Sequence, residues 1–260
     1  MGFLKKPFWK RAFYIYCPSL IICAMIAPGS NSSAIFVGII LIGTMMIGGV
    51  PFKELIVAGG ALVVTALLLF GLHKASGGDF MPRLKTFTSR MEAEYDTKAL
   101  DNLKPGSQEF YDVLDDIRQP YGAKIAVHEG GLLGKGSGNS TQKYKVDNIY
   151  GDYMYSFLIE EYGLIGGIII IILYVSLLAR SSIIASTCEN DFEKYAIGGL
   201  AVLISGQAFL HILVNVDIGP MTGQTLPLIS HGSSAFLVFC IAFGIILSIS
   251  RQANKTSHEV

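Results

Sequence analysis

Charge imbalance is missing from this chain: 20 Lys and Arg stand against 20 Asp and Glu, and the formal net charge is zero. No global basic or acidic field argues for a nucleic-acid partner. Charge of any kind is sparse, at 15% of residues. Cysteine is also scarce. Cys17, Cys23 and Cys240 lie in apolar runs, Cys188 lies in a short polar turn, and none forms a CxxC pair, which argues against a zinc site or a disulfide framework. Basic residues precede the first apolar run, but no small-residue cleavage site follows it. That run reads as a retained span and not as a signal peptide. Gly2 has no Ser or Thr at position 6, so the myristoylation pattern fails.

Apolar residues make up 51% of the chain and the mean hydropathy is positive, the composition of a helical membrane protein with several spans. Six spans are predicted, at about 12–27, 34–50, 55–72, 153–179, 195–216 and 232–250, each near the ~20 residues that cross a hydrocarbon core. The fold class expected is therefore an all-α polytopic membrane protein with one large extracytoplasmic loop. It has three organisational parts: three spans in 1–72, the loop in 73–151, and three further spans with a short polar tail in 152–260. Lys5, Lys6, Lys10, Arg11, Lys53, Arg180, Lys194, Arg251 and Lys255 fall on one side if the spans alternate, and the opposite short turns, 28–33 and 217–231, contain no Lys or Arg. The positive-inside rule then puts both termini in the cytoplasm and the 73–151 loop outside.

Within that loop, 81–87 can start a short helix, and the strongly charged 89–103 reads as a surface excursion. Residues 107–122 read as an amphipathic helix with Phe110, Val113, Leu114 and Ile117 on one face. A loop this long points to function. Its end, GGLLGKGSGNS (130–140), lacks both the Ser or Thr of a phosphate loop and the strand–helix setting of a dinucleotide site. A glycine-rich backbone approaching a ligand or a headgroup is the more natural reading. Lys135, Lys143 and Lys145 can meet an anionic ligand, or can equally meet lipid phosphates or water.

Asp152 stands where the polar loop becomes a span. Its ordinary reading is a helix N-cap. Its chemical reading is a carboxylate at the membrane–water boundary that takes a proton from a sugar hydroxyl as that hydroxyl attacks. Glu160 and Glu161, about two turns further in, must face protein or water. They line a polar cavity, pair with a loop lysine, or serve as structural hydrogen-bond acceptors. Gly163 and Gly167 form a GxxxG, the spacing of close helix packing. Gln207, His211 and Asn215 recur every four residues, as interhelical glue or as a cavity lining. GPMTGQTLPLISHGSS (219–234) is an irregular approach to the last span, tolerated where protein or water surrounds it.

Taken together, GGLLGKGSGNSTQK (130–143), GDYMYSFLIEEYGLIGG (151–167), LVN (213–215) and the 219–234 block resemble the SEDS family (shape, elongation, division and sporulation), most of all its cell-division branch. Pro82, Arg83, Leu84 and Phe87 fit the family's start of the large loop. The resemblance covers nearly the whole chain, with the blocks in the same order and at the same separations. It implies a peptidoglycan glycosyltransferase acting on lipid II and on polyprenyl-linked glycan in the bacterial cytoplasmic membrane, at the division septum. It also implies a class B penicillin-binding protein as transpeptidase partner, together with other division proteins and membrane lipid. Asp152, at the head of Asp152-Tyr153-Met154-Tyr155, takes the place of the family's essential aspartate. Gln142, Lys143, Glu160, Glu161, Arg83 and Ser230 are the implied substrate-binding set. Lys143, or a divalent cation such as Mg, would stabilise the leaving pyrophosphate. Family members usually have ten spans, so the first four would be absent from this stretch. His231 stands where Tyr or Met is usual, and the Ala27-Pro28 turn replaces a commoner Glu-Pro-Asp turn.

Overall fold

The computed structural model describes residues 8–27, 31–75, 107–218 and 223–258. Arg83, with the rest of 81–103, lies outside the described residues, as do the side chains of the apolar face expected on 107–117. Among the described residues the chain is helical and contains no strand. The elements are α1 (Phe8–Arg11), a π-helical turn (Ala12–Tyr16), α2 (Cys17–Ile26), α3 (Asn31–Ile47), α4 (Phe52–Ala75), α5 (Gln108–Gly130), a 3-10 turn (Gln142–Tyr144), α6 (Met154–Thr187), α7 (Asp191–Asn215) and α8 (Ser233–His258). A helix lies at each of the six predicted spans. α6, α7 and the Ser233–Ala253 part of α8 are long and apolar enough to cross a membrane, and Ser33–Ile47 is a shorter apolar helix. The protein is an all-α polytopic membrane protein.

The chain divides into two compact units. One comprises α1–α4 with residues 178–206 and 242 onward. Its core gathers Tyr16, Met45, Val50, Leu55 and Ala58. Arg11 Nη2 donates to Glu54 Oε1 at 2.5 Å, and the Tyr16 hydroxyl donates to Glu54 Oε2 at 2.6 Å, so the carboxylate at the start of α4 fixes the α1–α2 segment. α3 and α7 meet across glycines: a methyl placed on Gly199 would stand 2.9 Å from Thr44 Cγ2.

The other unit comprises α5 and the following chain through residue 177, with residues 207–241. α5 runs well past the expected end at 122, with Pro120 inside it. Its last turns stay helical because they are packed: Ala123 and Ala126 are buried, and Ala123 joins Val146, Ile149, Tyr153 and Phe157 in one apolar cluster. α5 therefore presses on the segment that leads to Asp152.

Candidate functional site at the start of α6

α6 is broken at Gly163, whose φ of 70° and ψ of −176° lie outside the helical region. In an unbroken helix the Leu164 and Ile165 amides would donate to the Glu160 and Glu161 carbonyls. Here all four groups turn to the glycine-rich loop. Leu164 N–H donates to Gly131 O at 2.9 Å and Ile165 N–H to Leu132 O at 3.4 Å, while Lys135 N–H and Gly136 N–H reach the Glu160 and Glu161 carbonyls at 2.9 and 3.0 Å. Two helical bonds are lost and four loop–helix bonds replace them, so these four backbone groups stay satisfied at the break.

This exchange explains the glycines. Methyls on Gly134 (φ 77°) and Gly163 would lie 2.3 Å from the Glu161 and Leu132 carbonyl oxygens, and one on Gly130 would lie 2.2 Å from the Ile159 carbonyl oxygen. The glycine-rich backbone thus makes its close approach to α6. The GxxxG at 163–167 also serves close approach, but at Gly163 the approaching partner is a loop and not a second helix.

The same junction consumes the buried acidic pair. Glu160 is fully buried and Glu161 nearly so. Glu160 accepts from Lys135 Nζ at 2.6 Å, from Thr141 N–H and Oγ1 at 2.9 Å each, and from Ser140 Oγ. Glu161 accepts from Gly138 N–H at 2.9 Å. Lys135 also contacts Glu129 and donates to Thr141 Oγ1 at 2.8 Å. Burial alone would lower the Lys135 pKa, but its hydrogen bonds to Glu129 and Glu160 outweigh that and raise it. The Lys135 hydrogen bond in turn lowers Glu129. Of the possibilities left open for the acidic pair, pairing with a loop lysine and structural acceptance are what the geometry shows. Gln142 is buried, with its amide facing the Glu160 carboxylate. Lys143 Nζ donates to Gly138 O at 2.5 Å and sits 5.0 Å from the centre of the Tyr144 ring.

Asp152 is presented by a second set of bonds. Tyr155 and Ser156, in the first turn of α6, find acceptors on α7: Tyr155 N–H reaches His211 Nε2 at 3.3 Å and Ser156 N–H reaches Asn215 Oδ1 at 3.0 Å. Because His211 Nε2 accepts, its Nδ1 carries the proton, which goes to Gln224 O at 2.7 Å. Asn215 Nδ2 donates to the Asp152 carbonyl at 3.1 Å, and Gln207 Nε2 donates to Thr225 O at 3.1 Å. The every-fourth-residue stripe is therefore glue between α7, the first turn of α6 and the 223–232 segment. It caps the Tyr155 and Ser156 amides in the first turn of α6. The Asp152 carboxylate accepts from Asn148 Nδ2 at 3.1 Å and is half-buried. Asn148 adopts a positive φ of 54°, and its carbonyl receives the Gly151 and Asp152 amides at 2.9 and 3.1 Å.

From the other side, Ser230 Oγ accepts Leu226 N–H at 2.8 Å and donates to Gly151 O at 2.9 Å, and His231 N–H donates to Tyr150 O at 2.8 Å. The structure thus brings Asp152, Ser230, His211 and Asn215 into one network, and Glu160, Glu161, Gln142 and Lys135 into a neighbouring one on the same helix. Lys135, His211 and Asn215 are visible in the sequence as a loop lysine that can pair with the acidic residues and as a polar stripe, but the partners of the stripe are not. Among the described residues no group of three His, Cys, Asp or Glu side chains could hold a metal ion.

Residues 4–255 match the FtsW/RodA/SpoVE family, described as cell cycle protein. The chain is 36% identical over 137 residues to a probable peptidoglycan glycosyltransferase FtsW of Caulobacter vibrioides, covering 53% of this chain and 35% of that one. It is 34% identical over 157 residues to the peptidoglycan glycosyltransferase MrdB of Escherichia coli K12, covering 57% and 42%. It is 32% identical over 203 residues to a probable peptidoglycan glycosyltransferase FtsW of Hahella chejuensis, covering 75% and 51%. The chain thus spans about half, or less, of the length of these curated relatives. A solved chain from a peptidoglycan synthase complex is similar with a TM-score of 0.46 and 19% identity, covering 96% of this chain and 84% of that one. The match over 4–255 and the four motif blocks agree: the chain belongs to the FtsW/RodA/SpoVE family, the SEDS family.

Proposed function

We propose that this chain carries the catalytic loop of a peptidoglycan glycosyltransferase that polymerises lipid II during cell division, with Asp152 as general base. The observation that supports this reading is the position of Asp152, half-buried at the mouth of α6, in front of a first turn whose Tyr155 and Ser156 amides are capped by His211 and Asn215. The acceptor sugar hydroxyl gives its proton to Asp152 while its oxygen attacks the anomeric carbon of the donor. The bond from that carbon to the pyrophosphate breaks with inversion, and the polyprenyl pyrophosphate leaves. Lys143, held on the Gly138 carbonyl, supplies positive charge to the departing oxygens, and Arg83 joins it in binding. Gln142, Glu160, Glu161 and Ser230 serve the substrate through the loops they hold in shape. A divalent cation such as Mg ordinarily keeps several waters and takes one or two carboxylates plus substrate phosphates. Its ligands here would come largely from the pyrophosphate.

The protein sits in the bacterial cytoplasmic membrane at the septum, with both termini cytoplasmic. A class B penicillin-binding protein and other division proteins are its partners. A second reading, a lipid-flipping transporter, would need intramembrane carboxylates lining a pathway, whereas Glu160 and Glu161 are bonded to the loop. The test is glycan length from lipid II, for wild type and Asp152→Asn, with and without a co-expressed transpeptidase. Polymer that disappears in Asp152→Asn supports the mechanism. Full polymerisation by a stably made Asp152→Asn protein sinks it. No polymer from either, while a longer chain with additional N-terminal spans is active, makes this stretch necessary but insufficient.

A further inference from the structure

α6 changes character at Gly163. Before the break, Tyr153, Tyr155, Ser156, Phe157, Ile159, Glu160 and Glu161 are all buried in protein. After it, Leu164, Ile165, Ile168, Ile169, Ile172 and Leu173 are each between 44% and 59% exposed. In a membrane-crossing helix, exposed aliphatic residues on successive turns are the lipid-facing surface. The tip of the glycine-rich loop lies at this boundary, because the Leu164 and Ile165 amides are bonded to Gly131 and Leu132. The tip itself is apolar: Leu132 is 68% and Leu133 is 78% exposed.

Two further observations fit lipid at this level. Five backbone groups at and beside the tip, Gly131 O, Leu132 O, Gly134 N, Lys135 N and Gly136 N, are bonded within the protein, which lowers the cost of placing non-helical chain near hydrocarbon. Tyr162, immediately before the break, is half-exposed, and its hydroxyl donates to Ser137 Oγ at 3.3 Å. An amphipathic ring with a tied polar end is characteristic of the membrane–water boundary.

We propose that Leu132 and Leu133 are a membrane anchor, seated in the leaflet at the Asp152 end of α6, and that the hydrocarbon begins at Gly163 and not at Asp152 as the hydropathy of 153–179 suggested. The nine-residue first part of α6, from Met154 to Tyr162, then stands outside the hydrocarbon as a post about 14 Å long. Resting on the functional reading above, this would hold Asp152 at the height of the sugars of a lipid-linked substrate, above the level of its phosphates.

The test is depth-dependent fluorescence quenching of the full chain in lipid nanodiscs. Trp9 is the single tryptophan, so Trp9→Phe provides a silent background for Leu133→Trp and, separately, Leu132→Trp. Both positions are exposed enough to accept the larger side chain. Tyr150→Trp, near Asp152 and 44% exposed as Tyr, reports the level of the site. The expected result is at least a twofold loss of tip fluorescence with lipids spin-labelled high on the acyl chain and little loss with aqueous acrylamide, the order reversing at position 150. Acrylamide quenching the tip as strongly as position 150 would place it in water and overturn the anchor. Neither quencher reaching the tip would mean that protein covers it, which overturns the anchor equally. No outcome depends on glycan synthesis, so failure of the anchor and failure of the enzymatic reading are separately visible.

Discussion

In α4, a methyl added to Gly60 would meet nothing within 4 Å, and one added to Gly59 would just touch Ile42 at 4.0 Å. In the glycine-rich loop and the first part of α6, methyls on Gly130, Gly134 and Gly163 would each fall within 2.4 Å of a carbonyl oxygen. The α2–α4 region is built as an apolar bundle, with one ion pair at its end. The region around Asp152 is built backbone against backbone, with side-chain oxygens and amides bonding donors and acceptors that the irregular chain leaves open. The first design tolerates changes of shape. The second depends on polar satisfaction and has little slack, because each lost partner strands a buried group.

The most severe way to break this contrast is Glu160→Ala. It strips Lys135, Ser140, Thr141 and Gln142 of their common acceptor, and breaking a buried pair from one side costs about 3–5 kcal/mol. A large fall in thermal stability in nanodiscs, with new protease cleavage inside 131–141, is expected. Gly134→Ala follows, at about 3 kcal/mol from backbone strain at positive φ together with overlap on α6. The same cleavage assay should show the loop released while the α2–α4 region stays protected. Gly60→Ala is the opposite pole. With room for the methyl and a helical backbone, it should stabilise by about 0.5–1 kcal/mol, seen as a slightly raised melting temperature and an unchanged loop. If Gly60→Ala and Gly134→Ala behaved alike, the difference between the two regions would be wrong.

Much of this architecture could be read along the chain. The spans stand out because apolar runs of membrane length have few competing explanations: 195–216 was expected and α7 is Asp191–Asn215. The stripe of Gln207, His211 and Asn215 was legible because a four-residue repeat has one geometric meaning on a helix. The break at Gly163 was not legible. The residues on either side are good helix formers, and a glycine that opens a helix to a loop looks the same in sequence as one that admits a neighbouring helix. The caps of the first turn of α6 were not legible either. They come from residues 56 and 59 positions away, and local spacing carries no information about them. α5 was cut short at 122 because Pro and Gly there signal an end, whereas burial of Ala123 and Ala126 keeps the helix going.

The supply of caps from α7 has a temporal consequence. A chain leaving the ribosome presents Asp152, Tyr155 and Ser156 long before His211 and Asn215 exist, and Ser230 follows later still, 79 residues after the Gly151 carbonyl it binds. The start of α6 is thus a guest of partners that have not yet been made. During membrane insertion the first turn of α6 waits for its caps until α7 and the 223–232 segment have followed, whereas the glycine-rich loop meets its own partners, Glu160 to Ile165, as α6 emerges. The setting of the α6 start is completed only as a late event of biogenesis, and a chain stalled before α7 is complete carries the first turn of α6 without its caps.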